Sequence, residues 1–224
     1  MKKRIFISIL IIFLPWYFRR KLLNILFGYN ISPKSKIGLS IVVPRKLTLG
    51  PGSSIGSLNM CKGLDEIFMS ENSSIGNMNW ISGFSANDPN VPFFRNQSER
   101  KSCLTIGKHS AITNRHLIDC SDAFTIMDFS TLAGAGTQIL THSIDLNLNE
   151  QKTNPVTIGN YCFIGTKCVI LSGSSIPDYC IVGAMSLINK KLLETHALYG
   201  GVPVKMIKKL TDIKYFSRLS GTVY

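Results

Sequence analysis

The chain has 224 residues, of which 45% are hydrophobic and 17% charged, so it can bury a large core and is not expected to be disordered. Its net charge of +12 at pH 7 favours anionic partners such as phosphorylated cofactors or phospholipid surfaces. Nucleic acid is disfavoured as a partner, because the sequence contains no helix-turn-helix, zinc-finger or aromatic–basic pattern.

Residues 1–28 form an apolar and basic segment of their own. An apolar run from Ile5 to Phe18 lies between two groups of cations, Lys2, Lys3 and Arg4 before it and Arg19, Arg20 and Lys21 after it. The run is shorter than the roughly 20 residues that a membrane-spanning helix needs, and Pro15 interrupts it. Two interpretations stay open. The segment is either an interfacial helix on an anionic membrane surface or a cap on the domain that follows.

Residues 29–190 repeat a pattern of six residues. In the clearest part, an aliphatic residue occupies every sixth position, at Ile158, Ile164, Ile170, Ile176, Val182 and Ile188. No helix or hairpin keeps that period, whereas a large inward residue, a small residue and a turn every six residues predict a parallel β-helix of hexapeptide repeats. Traced backwards, the pattern predicts seven coils, at 31–43, 49–61, 69–81, 106–118, 126–138, 158–170 and 176–188.

Two insertions, residues 82–105 and 139–157, interrupt this pattern. Loops of that length in a compact domain are usually functional or disordered, and insertions into a solenoid gather on one face. We therefore expect the two insertions to build the binding site. After Ile188 the pattern stops, and residues 191–224 are predicted to form a Gly/Pro turn and a short, basic, helical tail.

The six cysteines are explained by the repeat rather than by disulfides. Cys162, Cys168 and Cys180 fall at small inward positions and Cys61 at a large one, where a free thiol behaves as a small hydrophobe. We expect six reduced cysteines and a cytoplasmic protein. No metal is expected, because zinc sites favour close Cys-x-x-Cys pairs and the sequence has none.

Three motifs lie at the end of the repeat: Ile-Gly-x-x-Cys-Phe-Ile-Gly-Thr at 158–166, Val-Gly-Ala-Met-Ser at 182–186 and Gly-Val-Pro-Val-Lys at 201–205. With the repeats and the loop around His142, they resemble the hexapeptide-repeat acyltransferases, which include galactoside, maltose and surface-polysaccharide O-acetyltransferases. The resemblance covers residues 100–210 best, and Val204 departs from the family's Gly-x-Pro-Ala-Lys. It implies a left-handed β-helix, a homotrimer and an acetyl-CoA site in the groove between neighbouring subunits.

The catalytic candidate is His142, which matches the family's catalytic histidine. A histidine has a pKa near neutral pH and is the usual general base there. It would deprotonate the acceptor hydroxyl and return the proton to the CoA thiolate. Asp145 and Glu150 are close enough in sequence to orient its ring, and a backbone carbonyl would also serve.

The binding candidates are less specific. In related enzymes an asparagine one coil before the catalytic histidine contacts the acceptor. Asn114, Arg115 and His116 compete for that position, although a structural role explains His116 equally well. Corner amides at Gly165, Gly183 and Ala184, together with Pro203, Lys205 and Lys208 of the last motif, are expected to contact CoA. A solvated basic tail is the alternative for the lysines.

The sequence thus predicts an enzyme that moves acetyl from acetyl-CoA to a sugar hydroxyl of a capsule, exopolysaccharide or lipopolysaccharide, or of its lipid-linked precursor. It is expected in the cytoplasm, either free or on the inner face of the cytoplasmic membrane. Two alternatives stay open. One is N-acetylation of an amino-sugar nucleotide, and the other is a non-catalytic β-helix scaffold in a membrane glycan-assembly complex.

Overall fold

The computed structural model describes residues 2–94, 96, 97 and 99–222. Two helices, Lys2–Ile11 (α1) and Trp16–Phe27 (α2), precede a series of coils with three short strands each. The strands of the first four coils are Asn30–Ile31, Lys36–Ile37 and Ile41–Val43 (β1–β3); Lys46–Leu49, Ser54–Ile55 and Met60–Lys62 (β4–β6); Glu66–Met69, Ser74–Ile75 and Trp80–Ser82 (β7–β9); and Cys103–Ile106, Ala111–Ile112 and Leu117–Asp119 (β10–β12).

The remaining coils follow the same plan. The fifth coil contains Phe124–Ile126, Thr131–Leu132 and Gln138–Ile139 (β13–β15), and a hairpin of His142–Asp145 and Glu150–Thr153 (β16, β17) follows it. The last two coils contain Val156–Ile158, Phe163–Ile164 and Val169–Ile170 (β18–β20), then Ser175–Ile176, Cys180–Val182 and Leu187–Ile188 (β21–β23). The seven predicted coils are confirmed.

Strands at the same place in successive coils pair in parallel and make three sheets. Sheet 1 contains the first strand of each coil, sheet 2 the second and sheet 3 the third. The register stacks like on like, as where Ile81, Ile118, Ile139 and Ile170 lie side by side in sheet 3. We call the corner between sheets 2 and 3 the 2–3 edge, and the corner where sheet 3 leads into the next coil the 3–1 edge.

Two inward positions differ from the predicted register. Val42, not Val43, pairs with Cys61, and Ile139, not Gln138, pairs with Ile118. Gln138 is exposed, because the corner before it is one residue longer than a period of six allows. Thr137, the last residue of that corner, is buried and takes the small inward position. A strict period of six cannot reveal a one-residue change in a corner.

The C-terminal tail is extended where a helix was predicted. Ala197–Gly200 (β24) continues sheet 2 in parallel, and Lys205–Lys209 (β25) pairs antiparallel with it, which covers the open edge of the last coil. Within residues 191–222, helical structure is confined to one 3₁₀ turn at Lys214–Ser217. The chain then runs back along sheet 2, where the Tyr215 hydroxyl donates to the carbonyl of Cys162 at 3.1 Å.

Helices α1 and α2 cover the other end of the solenoid. Ile11, Leu23 and Phe27 join the same apolar cluster as the inward residues of the coils. The buried Arg19 guanidinium donates to the carbonyls of Gly38 at 2.8 Å and Ser40 at 3.0 Å, which have no preceding coil to pair with. Residues 2–27 therefore cover the apolar interior of the first coil and also donate hydrogen bonds to its carbonyl groups. No helix among the described residues has the length and hydropathy required to cross a bilayer.

Candidate active site

Both insertions leave the solenoid at the 3–1 edge and meet each other outside it. Residues 83–102 connect β9 to β10, and the β16–β17 hairpin lies between β15 and β18. The Gln97 side-chain oxygen accepts hydrogen bonds from the amide and the hydroxyl of Thr153, at 2.8 and 2.6 Å. Arg100 ties the first insertion to the next corner by donating to the carbonyl of Ser121 at 2.8 Å. The two insertions thus form one wall over the 3–1 edge, in agreement with the expectation that insertions into a solenoid gather on one face.

His142 is the first residue of the hairpin and pairs with an aspartate of the preceding coil. Its Nδ1 lies 2.9 Å from Oδ2 of Asp119, which ends β12. The imidazole is half-buried and the carboxylate more so. The hydrogen bond to Asp119 is the main cause that raises the pKa of His142, and it outweighs the lowering effect of burial. Since Asp119 accepts at Nδ1, Nε2 is the nitrogen left for proton transfer.

Asp119 is held in place from both sides. Burial alone would raise its pKa, but hydrogen bonds from His142, Ser121 and Thr141 outweigh burial, so the pKa of Asp119 is lowered. The Ser121 hydroxyl donates to Oδ1 at 2.6 Å, while the Thr141 hydroxyl and amide donate to Oδ2 at 2.7 and 2.9 Å. A carboxylate with this many donors stays ionised and fixed, which suits it to orient one imidazole tautomer.

A cleft of about 540 Å³ opens beside His142 on the outer surface of sheet 3. One wall is sheet 3, including Trp80 and Leu117, and the other is the first insertion, including Phe84. Lys62 Nζ lies 4.7 Å from the centre of the Trp80 ring. Phe84 and Phe94 approach the imidazole edge-on, each with ring centres 6.3 Å from it. The base therefore stands at the end of a mostly apolar cleft with a few polar groups, the usual form of a ligand site.

The structure puts Asp119, rather than Asp145, on the His142 ring. Asp145 lies at the far end of β16, where its carboxylate pairs with Lys152 and accepts the amides of Asn147 and Leu148. Distance along the chain hides this pair, because Asp119 lies 23 residues before His142. The stacking of the coils does indicate it. Stacking the coils with Ile118 beside Ile139 aligns residue 119 with residue 140, at the foot of the hairpin.

His116 is a rung in a ladder of buried side chains at the 2–3 edge. The side chain of Asn59 accepts a hydrogen bond from the backbone amide of Asn79 at 2.8 Å, and Asn79 accepts one from the amide of His116 at 2.9 Å. His116 Nδ1 in turn accepts one from the amide of Thr137 at 3.2 Å. The other ring nitrogen lies 3.0 Å from the Thr113 hydroxyl. Burial lowers the pKa of His116 to about 4, so it is neutral at physiological pH.

The other predicted acceptor residues also lie at the 2–3 edge. The side-chain oxygen of Asn114 accepts the amide of Asn77 at 2.6 Å, and the exposed Arg115 occupies the corner with φ of 59°. Asn114 and Asp119 lie at opposite ends of this part of the coil, because strand β12 runs from the 2–3 edge across sheet 3 and ends at Asp119. Within one chain, residues 114–116 are therefore not next to His142.

Most of the predicted CoA contacts lie at the 2–3 edge of the last coils, and Lys208 lies further along β25, on sheet 2. A Cβ atom on Gly165 would lie 2.6 Å from the amide nitrogen of Ala184, so the stacking of corners already requires glycine there. A Cβ atom on Gly183 would make only an ordinary contact, 3.5 Å from the carbonyl oxygen of Tyr199. Pro203 follows a cis peptide bond and is exposed, as are Lys205 and Lys208. Lys209 forms an ion pair with Glu194 at 2.6 Å. Among the described residues neither Lys205 nor Lys208 has an ion-pair partner.

The cysteines offer no nucleophile. All six are free, five are buried, and burial raises the pKa of Cys61 and of Cys162 to about 12. In the described part of the chain, no three His, Cys, Asp or Glu side chains cluster in a way that could hold a metal ion.

Part of the chain is similar in sequence to known acetyltransferases. No protein-family model matches the chain. It is 30% identical to galactoside O-acetyltransferase of Escherichia coli (strain K12) over 101 residues, which are 45% of this chain and 48% of that protein. The chain spans less than half the length of each of the curated relatives that it matches.

Solved structures are similar over most of the chain. A hexapeptide-repeat acetyltransferase from Vibrio cholerae O1 biovar eltor, solved with acetyl-CoA, superposes with a TM-score of 0.54 at 20% identity, over 94% of this chain and 87% of that one. A polysialic acid O-acetyltransferase superposes with a TM-score of 0.58 at 19% identity, over 83% and 87%. The chain therefore has the left-handed parallel β-helix fold of the hexapeptide-repeat acetyltransferases.

Proposed function

We propose that the protein is an acetyl-CoA-dependent O-acetyltransferase that acetylates a sugar hydroxyl of a surface glycan or of its lipid-linked precursor. The observation that carries the proposal is the 2.9 Å contact between His142 Nδ1 and the fixed Asp119 carboxylate at the end of a cleft. A general base needs this arrangement, and a scaffold has no use for it. The acceptors named for similar proteins, a galactoside and polysialic acid, support a sugar.

In the proposed reaction His142 moves one proton twice. Its Nε2 takes the proton of the acceptor hydroxyl as that oxygen bonds to the thioester carbonyl carbon. Asp119 stabilises the imidazolium that forms and keeps Nδ1–H directed away from the substrate. When the carbon–sulfur bond breaks, His142 returns the proton to the CoA sulfur. The products are the acetyl ester and free CoA, and the enzyme regains its starting state.

The cleft suits a sugar acceptor. The Trp80 and Phe84 rings provide flat apolar surfaces for the C–H faces of a pyranose, and Ser82, Ser85 and Asp88 provide groups for its hydroxyls. The acceptor hydroxyl would lie within hydrogen-bond distance of His142 Nε2.

The separation of the candidate residues supports a homotrimer. His142 stands at the 3–1 edge. Gly183, Ala184 and Lys205 lie at the 2–3 edge, and Lys208 is three residues further along β25, on sheet 2. A cyclic trimer that sets the 2–3 edge of one chain against the 3–1 edge of the next would join the two groups in each groove, with the lysines near the CoA phosphates. Exposed apolar side chains along the 2–3 edge suit such a contact, namely Leu39, Leu58, Met78, Met185 and Val202.

The test is release of CoA from acetyl-CoA with a panel of sugars, together with the mass of the particle. We expect transfer to a hydroxyl and a mass of about three times 24.8 kDa by light scattering. Transfer to an amino sugar alone would identify an N-acetyltransferase, and failure to bind CoA would favour the scaffold. A monomer that turns over acetyl-CoA would contradict the trimeric site.

We also propose that the reaction takes place in the cytoplasm, because six unpaired cysteines fit a reducing compartment. Thiol titration of protein unfolded without reductant should find all six. Four or fewer would contradict this proposal.

A further inference from the structure

The outward face of the N-terminal cap is apolar. The inward face packs on the first coil through Ile11, Leu23 and Phe27. On the other side, large apolar side chains project into solvent from both helices and the turn between them, and the most exposed are Phe13 at 84%, Ile25 at 77%, Leu10 at 64% and Phe6 at 62%. We call these residues, together with Phe18 and Leu26, the cap surface.

Capping the solenoid does not account for this surface. A helix that only covers a core needs one apolar face and has a polar one opposite. Here the pattern is partly reversed, because the buried side includes the Arg19 guanidinium, bonded to carbonyls of the first coil, while phenylalanines lie outside. Phe6 and Leu10 lie one turn apart on α1, and Phe18 and Ile25 lie two turns apart on α2, so each helix presents a stripe of exposed apolar side chains. Exposed apolar surface of this kind marks an interaction site.

The charge of the protein is concentrated around the same end. Residues 1–64 contain 11 of the 25 lysines and arginines and none of the 13 acidic residues, so the other 160 residues together carry a net charge of only +1. Lys2, Lys3 and Lys21 are exposed on the helices that present the cap surface. Lys21 packs against an aromatic ring of the same helix, since its Nζ lies 4.4 Å from the centre of the Tyr17 ring.

We infer that the cap surface binds an anionic phospholipid bilayer, with its aromatic and aliphatic side chains between the headgroups and acyl chains and with Lys2, Lys3 and Lys21 among the headgroups. Each cation near such a surface adds electrostatic attraction to the anionic headgroups. A second copy of the chain is a poorer occupant, because two ends of the same high positive charge would repel each other. The inference is independent of the activity proposed above.

Vesicle flotation of the full chain tests the inference. We expect the protein to float with phosphatidylcholine vesicles that contain phosphatidylglycerol, less with phosphatidylcholine alone, and progressively less as salt is added. The variant Leu10→Glu/Phe13→Glu/Phe18→Glu should reduce binding to anionic vesicles by about tenfold or more, since it places three charges in the apolar contact.

A control of equal charge uses exposed leucines elsewhere. The variant Leu146→Glu/Leu193→Glu/Leu219→Glu changes side chains that are 83–89% exposed and far from the cap in sequence, and it should float like the unchanged protein apart from a small general charge effect. Circular dichroism and thermal melting establish that the variants fold. If the triple cap variant fails to fold, Phe13→Glu alone and the salt titration serve instead.

Three results would overturn the inference. One is wild-type protein that does not float with anionic vesicles. Another is equal flotation of the cap and control variants. The third is self-association that the cap variant abolishes without any flotation of the wild type, which would assign the surface to a second copy of the chain.

Discussion

The two edges of sheet 3 each carry a histidine, and their surroundings shift the pKa values of the two imidazoles in opposite directions. At the 2–3 edge His116 is buried as a rung in a ladder, its hydrogen bonds go to a backbone amide and a hydroxyl, and its pKa is lowered to about 4. At the 3–1 edge His142 is half-buried and bonded to a carboxylate, and its pKa is raised. Burial opposes the charged form at both, and only Asp119 reverses the outcome.

The difference shows how a repeat accommodates function. At the 2–3 edge successive corners are nearly equivalent, so each side chain there serves the coil next to it. At the 3–1 edge two insertions interrupt the stacking, and Asp119, Ser121 and Thr141 are freed to hold a side chain that no rung requires. A change at either edge therefore has a predictable and different effect.

The largest effect is expected at the base. His142→Ala should lower kcat by roughly 10²–10⁴-fold with little change in the affinity for CoA, since a positioned general base contributes that much. His116→Asn, which repeats the residue of the two preceding rungs, should leave kcat within a factor of two or so of wild type. Steady-state CoA release measures both. The opposite result, with His142→Ala active and His116→Asn inactive, would assign the base to the other edge.

The next effect concerns the carboxylate that orients the base. Asp119→Asn should lower kcat by roughly 10²-fold, because the imidazolium loses its stabilising charge while the base remains. Catalysis needs neutral His142, so activity falls as the pH drops through its raised pKa. In the variant that pKa falls, and the acid limb of the residual activity moves to lower pH.

Asp145→Asn is the matched control, since Asp145 is on the same hairpin but bonded to Lys152. It should keep both kcat and the pH profile. A loss in this control equal to that of Asp119→Asn would show that the hairpin, not the Asp119–His142 contact, is what matters.

A third effect is on stability and belongs to His116. Its folded-state pKa is about 4, below the unfolded value near 6.5, so the unfolded chain binds the proton first and stability is lost as the pH falls from about 6.5 towards 4. At pH 5 the loss is about 2 kcal/mol. The free energy of unfolding, measured with urea, should fall between pH 7 and pH 5 by about 2 kcal/mol less in His116→Asn than in the wild type. If the variant has the same pH dependence as the wild type, folded His116 takes up a proton at pH 5 as readily as the unfolded chain does.

The smallest effect is expected from the contact between the two insertions. Gln97→Leu removes the acceptor for both donors of Thr153, about 1 kcal/mol of hydrogen bonding, and should raise the KM for the acceptor by about fivefold with little change in kcat. Kinetics with a saturating concentration of acetyl-CoA measure this. If KM is unchanged, the wall formed by the insertions does not shape the acceptor cleft.

The sequence by itself determined the solenoid, its seven coils and the position of both insertions, because inward side chains must recur every six residues wherever coils stack. It also marked His142. Tertiary structure decided what lies beside each of these residues. Asp119 meets His142 only because coils of different length stack in register. Lys205–Lys209 is a strand because Ala197–Gly200, added to the last coil, offers it an open edge. Periodicity describes one coil at a time, whereas a site and an edge arise from contacts between coils that no local pattern records.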